Sequence, residues 1–287
     1  MSSNSNIIAL TMGDPSGVGT EIAIRAKIKK IKKPDFFIIH DIDFVKKILK
    51  KMKSKLKVRE ISSPSEVKKL PKNYLAVLPI KISKNTQLGK KNLSNVKSIL
   101  TSIDLAVKLA KNGEVAAIVT NPINKDVIGK KVKNFKGHTE YLAKKDRTND
   151  QLMMMMNKNL KTIPLTTHIA INKVSNKINK KNIIKAIINA NVSLRKDFKI
   201  KKPRIAVTAL NPHAGDGGLI GDDEKVKILP AIKYCKKKKI SVEGPLPADS
   251  AFIKNNQNKY DIFICMFHDQ ALIPVSYTHL RAHETET

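Results

Sequence analysis

The feature that most constrains this chain is a repeated alternation of short apolar runs with amphipathic stretches. Apolar runs fall at 7–12, 35–40, 75–80, 115–120, 152–156, 162–167, 204–210, 240–243 and 261–267. Each is four to seven residues long, a length that suits a buried strand. Between them lie helical patterns. In 92–112, Leu93, Val96, Leu100, Ile103, Val107 and Ala110 recur at three- and four-residue spacing, and Gly113 stops the run. Further helices are expected over 183–194 and 222–239, where Pro230 should kink the helix or mark a start. Strand–helix alternation sustained over 287 residues predicts an α/β fold with largely parallel sheet, in one large or two ordinary domains.

Charge at first suggests a different class. Lys and Arg total 55 against 24 Asp and Glu, a net charge of +31, which invites a nucleic-acid reading. Only six of the 55 are arginine, aromatics are 5% and tryptophan is absent. Base readout favours the arginine fork, and single-strand binding favours aromatic platforms. The lysines are spread along the whole chain. A lysine-coated soluble surface with no specific nucleic-acid partner is therefore expected, its charge serving at most to attract an anionic ligand. No apolar run reaches the ~20 residues needed to span a bilayer. The N-terminus carries no basic segment ahead of its apolar run, so no signal peptide is expected. Cys235 and Cys265 fit neither zinc nor redox spacing, and a reducing cytoplasm is the expected location.

Three histidines share one setting. IPLTTH ends at His168, IAVTALNPH at His213 and IFICMFH at His268, each closing or closely following an apolar run. Ligands gather at the carboxyl ends of parallel strands, so these imidazoles are expected to converge there and hold a divalent metal with open positions. Other stretches admit two readings each. In Gly13–Gly19 the glycines suit a phosphate at a helix N-terminus, or an ordinary turn capped by Asp14 or Ser16. In 136–145 Thr139 caps a helix, with or without His138 and Thr139 holding a phosphate. The glycine-rich 211–224 reads as a loop that closes over a ligand, and Asp222, Asp223 and Glu224 as a metal cluster or a helix start. Asp249, after two prolines, orients a histidine, touches substrate or caps a helix.

Six motifs in order carry a family resemblance: MGDPSGVGTEI, TNPINK at 120–125, GHTEYLA at 137–143, NPHAGDGG at 211–218, GPLPADSAF at 244–252 and MFHDQALIPV at 266–275. Together they resemble the 4-hydroxythreonine-4-phosphate dehydrogenases of pyridoxal phosphate biosynthesis. The resemblance implies a fold like isocitrate and isopropylmalate dehydrogenases: two α/β/α domains with a cleft between them. The expected division is 1–135, 136–275 carrying the metal histidines, and a tail at 276–287. It implies oxidation of 4-phosphooxy-L-threonine by NAD or NADP, with loss of carbon dioxide to give 3-amino-2-oxopropyl phosphate. His168, His213 and His268 fall on the family's metal ligands, at a homodimer interface; zinc, magnesium, manganese and cobalt stay open. His138 and Thr139 fall on its substrate-binding pair, and Asp249 is a candidate proton acceptor. The nicotinamide-binding residues are not indicated. A sister enzyme acting on threonate or erythronate 4-phosphate would share these residues.

After Val275 the resemblance breaks. The family has a substrate-contacting lysine where this chain has Ser276. The segment SYTHLRAHETET contains no Lys, Ile or Asn, the residues that colour the rest. It is expected to be foreign to the family, leaving the chain short of substrate contacts and inactive or nearly so. His279 and His283 are accordingly set aside as ligands.

Overall fold

A computed structural model describes residues 6–29, 34–148 and 151–276, with helical backbone continuing to 284. The side chains of His279 and His283 lie outside the described residues. The chain divides into two compact units, Met1–Asn149 and Asp150–Thr287. The first contains β1 (Ile7–Leu10), α1 (Gly19–Ile28), β2 (Asp35–His40), α2 (Ile42–Lys51), β3 (Lys57–Glu60), β4 (Tyr74–Pro79), α3 (Val96–Lys111), β5 (Ala117–Val119), α4 (Lys125–Gly129) and α5 (His138–Asp146). Its sheet runs β3-β4-β2-β1-β5, and every pairing is parallel.

Parallel sheets need both faces covered, so their strands read as unbroken apolar runs. β2 shows why. Phe37 and Ile39 point to one face, where they pack with Ala106 and Leu109 of α3. Ile38 points to the other, against Ile24 of α1 and Phe44, Val45 and Ile48 of α2. The strand β3 was not expected. Its sequence KVRE is charged and mostly exposed, because it is an edge strand paired only with β4. Charged residues on an edge discourage further pairing, and they also erase the apolar signal.

The second unit contains β6 (Met155–Met156), β7 (Lys161–Pro164), α6 (Val174–Lys177), α7 (Lys180–Lys196), β8 (Ile205–Thr208), α8 (Leu229–Lys237), β9 (Val242–Leu246), α9 (Ala248–Ala251), α10 (Lys254–Lys259), β10 (Ile262–Cys265) and α11 (His268–Glu284). The strand order is β6-β7-β10-β8-β9, parallel except for β6 against β7. The expected strand over 152–156 shrinks to the two-residue edge β6. One face of this sheet packs Ile163, Ile205, Val207, Ile262 and Ile264 against Ile183, Ile187 and Leu194 of α7 and Ile232 of α8. Pro230 stands in the first turn of α8, preceded by a π-helical turn over Glu224–Ile228. The wider turn accommodates the missing proline N–H, so the proline marks a start.

The boundary lies later than the expected 135/136. Helix α5 belongs to the first unit because Tyr141 Oη donates to Asp104 Oδ1 of α3 at 2.9 Å and Lys145 Nζ reaches Asp104 Oδ2 at 2.7 Å. His138 and Thr139 therefore belong to the first unit and the three strand-end histidines to the second.

Candidate active site

In the second unit, β7, β10 and β8 are consecutive parallel neighbours, and His168, His268 and His213 follow their carboxyl ends in that spatial order. Leu165 N donates to Cys265 O at 2.8 Å and Thr166 Oγ1 to Met266 O at 2.8 Å, tying the first two loops together. The His168 and His268 rings lie 5.7 Å apart between centroids, tilted by 44°. His268 also meets Asp269 Oδ1 through Nδ1 at 2.7 Å. His213 instead faces Asp249, whose Oδ2 stands 3.8 Å from Nδ1. Both His168 and His213 have left-handed backbone, φ 53° and 50°, a conformation that non-glycine residues seldom hold away from turns and functional sites.

The expected three-histidine cluster does not close within one chain. Among the described residues no group of three His, Cys, Asp or Glu side chains is close enough to hold a metal ion. The structure pairs His168 with His268 and sets His213 beside Asp249. The physical reason is that the three imidazoles hang from separate segments, His168 and His213 from loops and His268 from the start of α11; the His213 side chain is 72% exposed. The donor chemistry still suits a divalent ion: three imidazoles at the carboxyl end of one sheet, two of them adjacent. Asp249 is not the cap of α9, which is Pro247; it sits in the first turn, next to His213.

Two residues that sequence reasoning placed elsewhere, or passed over, hold these loops. Glu224 is buried, and its Oε1 accepts from Leu210 N and Asn211 N, both at 2.8 Å, while Oε2 accepts from Asn211 Nδ2 at 3.0 Å. The loop it grips runs through five consecutive left-handed residues, His213 to Gly217. A Cβ on Gly215 would come within 2.7 Å of Glu224 Oε2 and of the Gly221 carbonyl. The glycine-rich loop is thus a held turn. Burial acts to raise the Asp223 carboxyl, but hydrogen bonds from Lys227, Ser175 and Asn211 outweigh it and hold it below the ordinary carboxylate range. Neither acid is placed as a metal ligand. Gln270, buried, accepts from Thr208 Oγ1 and Met266 N at 2.7 Å each and donates to Ala209 O at 2.8 Å. It fastens the end of β8 to the end of β10. Only its place in the HDQ triplet beside His268 hinted at this.

In the first unit the loop Gly13–Gly19 packs on Asn121. A Cβ on Gly13, φ +71°, would lie 2.6 Å from Asn121 Cβ and 2.7 Å from Pro122 O; one on Gly19 would lie 3.0 Å from Asn121 Cβ. Asn121 Nδ2 donates to Thr11 O at 3.0 Å, and Asp14 N to Pro122 O at 2.8 Å. These glycines serve close approach between two loops. Asp14 does not cap α1; its Oδ1 accepts from Ser16 N at 2.9 Å, and the cap position is Val18. Ser16 Oγ is buried without a partner among the described residues.

Thr139 does not cap α5 either. Gly137 holds the cap position, φ +153°, and no side chain closes the end of the helix. His138 follows it, and its Nε2 is buried with no partner among the described residues. Burial, and then the nearby Lys125 charge, push its imidazole below the ordinary histidine range, so it is neutral near pH 7. The arrangement is an uncapped helix N-terminus, an unpartnered ring nitrogen and a threonine in the first turn, a setting that favours an anion.

Two parallel α/β units, each with its polar loops at strand carboxyl ends, define an α/β enzyme scaffold for a small ligand. Residues 32–283 match the family described as "Pyridoxal phosphate biosynthetic protein PdxA". The chain belongs to that family. It is 35% identical over 275 residues to the 4-hydroxythreonine-4-phosphate dehydrogenase of Caulobacter vibrioides, covering 93% of this chain and 81% of that one. The Sulfurihydrogenibium enzyme of the same name is 34% identical, at 93% and 82% coverage. A crystal structure of the Klebsiella pneumoniae 4-hydroxythreonine-4-phosphate dehydrogenase superposes with TM-score 0.89 at 32% identity, covering 96% of this chain and 85% of that chain. A terephthalate 1,2-cis-dihydrodioldehydrogenase from Burkholderia xenovorans LB400, 22% identical, shares the fold with TM-score 0.67. Among the described residues no helix is long and apolar enough to cross a membrane.

Proposed function

We propose that this chain oxidises 4-phosphooxy-L-threonine with NAD or NADP and releases carbon dioxide, giving 3-amino-2-oxopropyl phosphate for pyridoxal phosphate synthesis in the cytoplasm. The observation that carries this reading is the match of residues 32–283 to the family. The finer fold assignment, isocitrate and isopropylmalate dehydrogenase-like, belongs to the same reading. So does a homodimer whose subunits jointly complete the metal site, which gives His213 a role its position in one chain leaves open.

In this reading His168, His213 and His268 hold a divalent ion, with zinc, manganese and cobalt better suited than magnesium to three imidazoles. When bound, the ion would supply stabilisation of negative charge developing on the substrate oxygen, and a nicotinamide would supply a hydride acceptor. The chain's own residues do the rest. Glu224 holds the turn that carries His213, and Gln270 ties the end of β8 to the end of β10 beside His268, which limits the reorganisation the donors need. Asp249, beside His213, takes the hydroxyl proton. His138, neutral, offers one ring nitrogen to the phosphate, and Thr139 adds its hydroxyl.

The test is to supply the chain with a divalent ion and either nicotinamide, and to follow reduced cofactor with 4-phosphooxy-L-threonine and with threonate 4-phosphate. Turnover is expected to be slow, because Ser276 stands where the family has its substrate-contacting lysine, and to favour the amine-bearing substrate. Turnover of the sugar acid alone would overturn the reading, as would failure to bind either.

A further inference from the structure

We propose that Lys125 binds the phosphate of the substrate, its ammonium closing the site formed by His138 and the N-terminus of α5. The proposal rests on the phosphate-site reading of His138 and Thr139. It is carried by what holds Lys125 in place and by what its ammonium lacks.

Lys125 opens α4 directly after a fixed segment. Asn121 is locked by Thr11 and by the close approach of Gly13 and Gly19, and Asn124 caps α4 by accepting from Val127 N at 3.2 Å. The backbone that presents Lys125 is therefore anchored on both sides. The side chain runs to the start of α5: its Nζ lies 3.6 Å, and its Cε 3.4 Å, from the point a Cβ on Gly137 would occupy. Any side chain at 137 would crowd that path. The ammonium thus stands beside the cap residue of a nine-residue helix whose end no side chain closes, and close enough to His138 for its charge to help push that imidazole down.

Lys125 forms no ion pair among the described residues. Its neighbour Asp126 is engaged by Lys91 at 3.5 Å. The carboxylate nearest the site is Glu140, whose Oε2 lies 3.7 Å from the same point above Gly137; it is exposed and makes no ion pair there. A neutral imidazole and a hydroxyl cannot balance a phosphate dianion, whereas a fixed ammonium and the helix N–H groups can. An arriving phosphate would take the place toward which Glu140 now leans.

The full chain is titrated calorimetrically with inorganic phosphate, 4-phosphooxy-L-threonine and 4-hydroxy-L-threonine, as the parent and as Lys125→Met, His138→Ala, Glu140→Gln and Lys72→Met. Lys72 is an exposed lysine elsewhere in the first unit and controls for bulk charge. Lys125→Met should weaken both phosphorylated probes roughly tenfold to a hundredfold and leave the unphosphorylated one within twofold. Glu140→Gln should tighten the phosphorylated probes. Equal losses in Lys125→Met and Lys72→Met would overturn the proposal, as would weaker binding in Glu140→Gln. So would an equal loss on 4-hydroxy-L-threonine, which would place the ammonium on the carboxylate. Unchanged binding in Lys125→Met with a loss in His138→Ala would remove Lys125 and leave the site standing. A parent that binds no phosphorylated probe, or a His138→Ala variant that binds like the parent, would remove the site itself and Lys125 with it.

Discussion

Replacing Glu224 with alanine should loosen the His213 loop far more than its distance from that imidazole suggests. The carboxylate accepts three hydrogen bonds, two from the backbone N–H groups of Leu210 and Asn211 and one from the Asn211 side chain. Alanine strands both backbone donors where the parent side chain is only 4% exposed. At ~1–3 kcal/mol for each donor left unsatisfied, local opening should be easier by about 3 kcal/mol, allowing for partial rescue by water. Glutamine should cost less, about 1 kcal/mol: its carbonyl keeps the two backbone bonds, but its NH2 faces the Asn211 amide donor. Hydrogen exchange of peptides spanning 208–218 reads this directly. The alanine variant should exchange there roughly a hundredfold faster, while β2 keeps its protection. With tryptophan absent, far-UV circular dichroism supplies the global melt. If exchange over 208–218 in Glu224→Ala stays within twofold of the parent, the carboxylate does not hold the loop.

Other outcomes follow from the same contacts. His40 is fully buried between Thr20 Oγ1 and Asp41 N, and burial pushes its imidazole down to about 4 from 6.5. Below pH 6.5 the unfolded chain takes up a proton that the fold excludes, so the first unit should lose up to roughly 3 kcal/mol as pH falls to about 4; a ring that titrates near 6.5 by NMR in the folded protein would refute this. Gly13→Ala should destabilise by about 2–4 kcal/mol through backbone strain and collision with Asn121 and Pro122, against about 1 kcal/mol for Gly89→Ala, which has similar φ but open space; equal costs in urea unfolding would show that the loop interlock is not tight. Single alanine variants of His168, His213 and His268 should each lose most bound divalent metal, and full retention in any two by elemental analysis would dismiss the triad.

Legibility in the sequence followed burial. β2 matches its expected span of 35–40, because a strand covered on both faces must be apolar throughout. The expected helix over 92–112 is α3 with a short 3-10 lead at Leu93–Asn95. What escaped was polar. β3 pairs through its backbone at an exposed edge, where KVRE carries no period. The strand-end placement of His168, His213 and His268 was readable from three apolar runs, but their side-chain separations depend on loop backbone that no periodicity encodes. Thr139 looked like a cap because threonine usually is one; the preceding glycine took that role with a backbone angle that only the fold requires. Glu224 looked like a helix-start acid, and nothing local revealed that Leu210 and Asn211 would turn their N–H groups onto it.

The interlock of Gly13 and Gly19 with Asn121 also orders events in time. Asn121 meets Thr11 across a sequence separation of 110, and both stand at the ends of neighbouring strands β1 and β5. Neither loop has its final shape until that long closure is made, and closures of this span are slow compared with local helix and hairpin formation. α4, Lys125 and the approach to His138 come after Asn121 in the chain and inherit their positions from it. The anion site should therefore be acquired late in folding, with the docking of β5 as its gate. A refolding time course should show helical signal returning well before phosphate binding does.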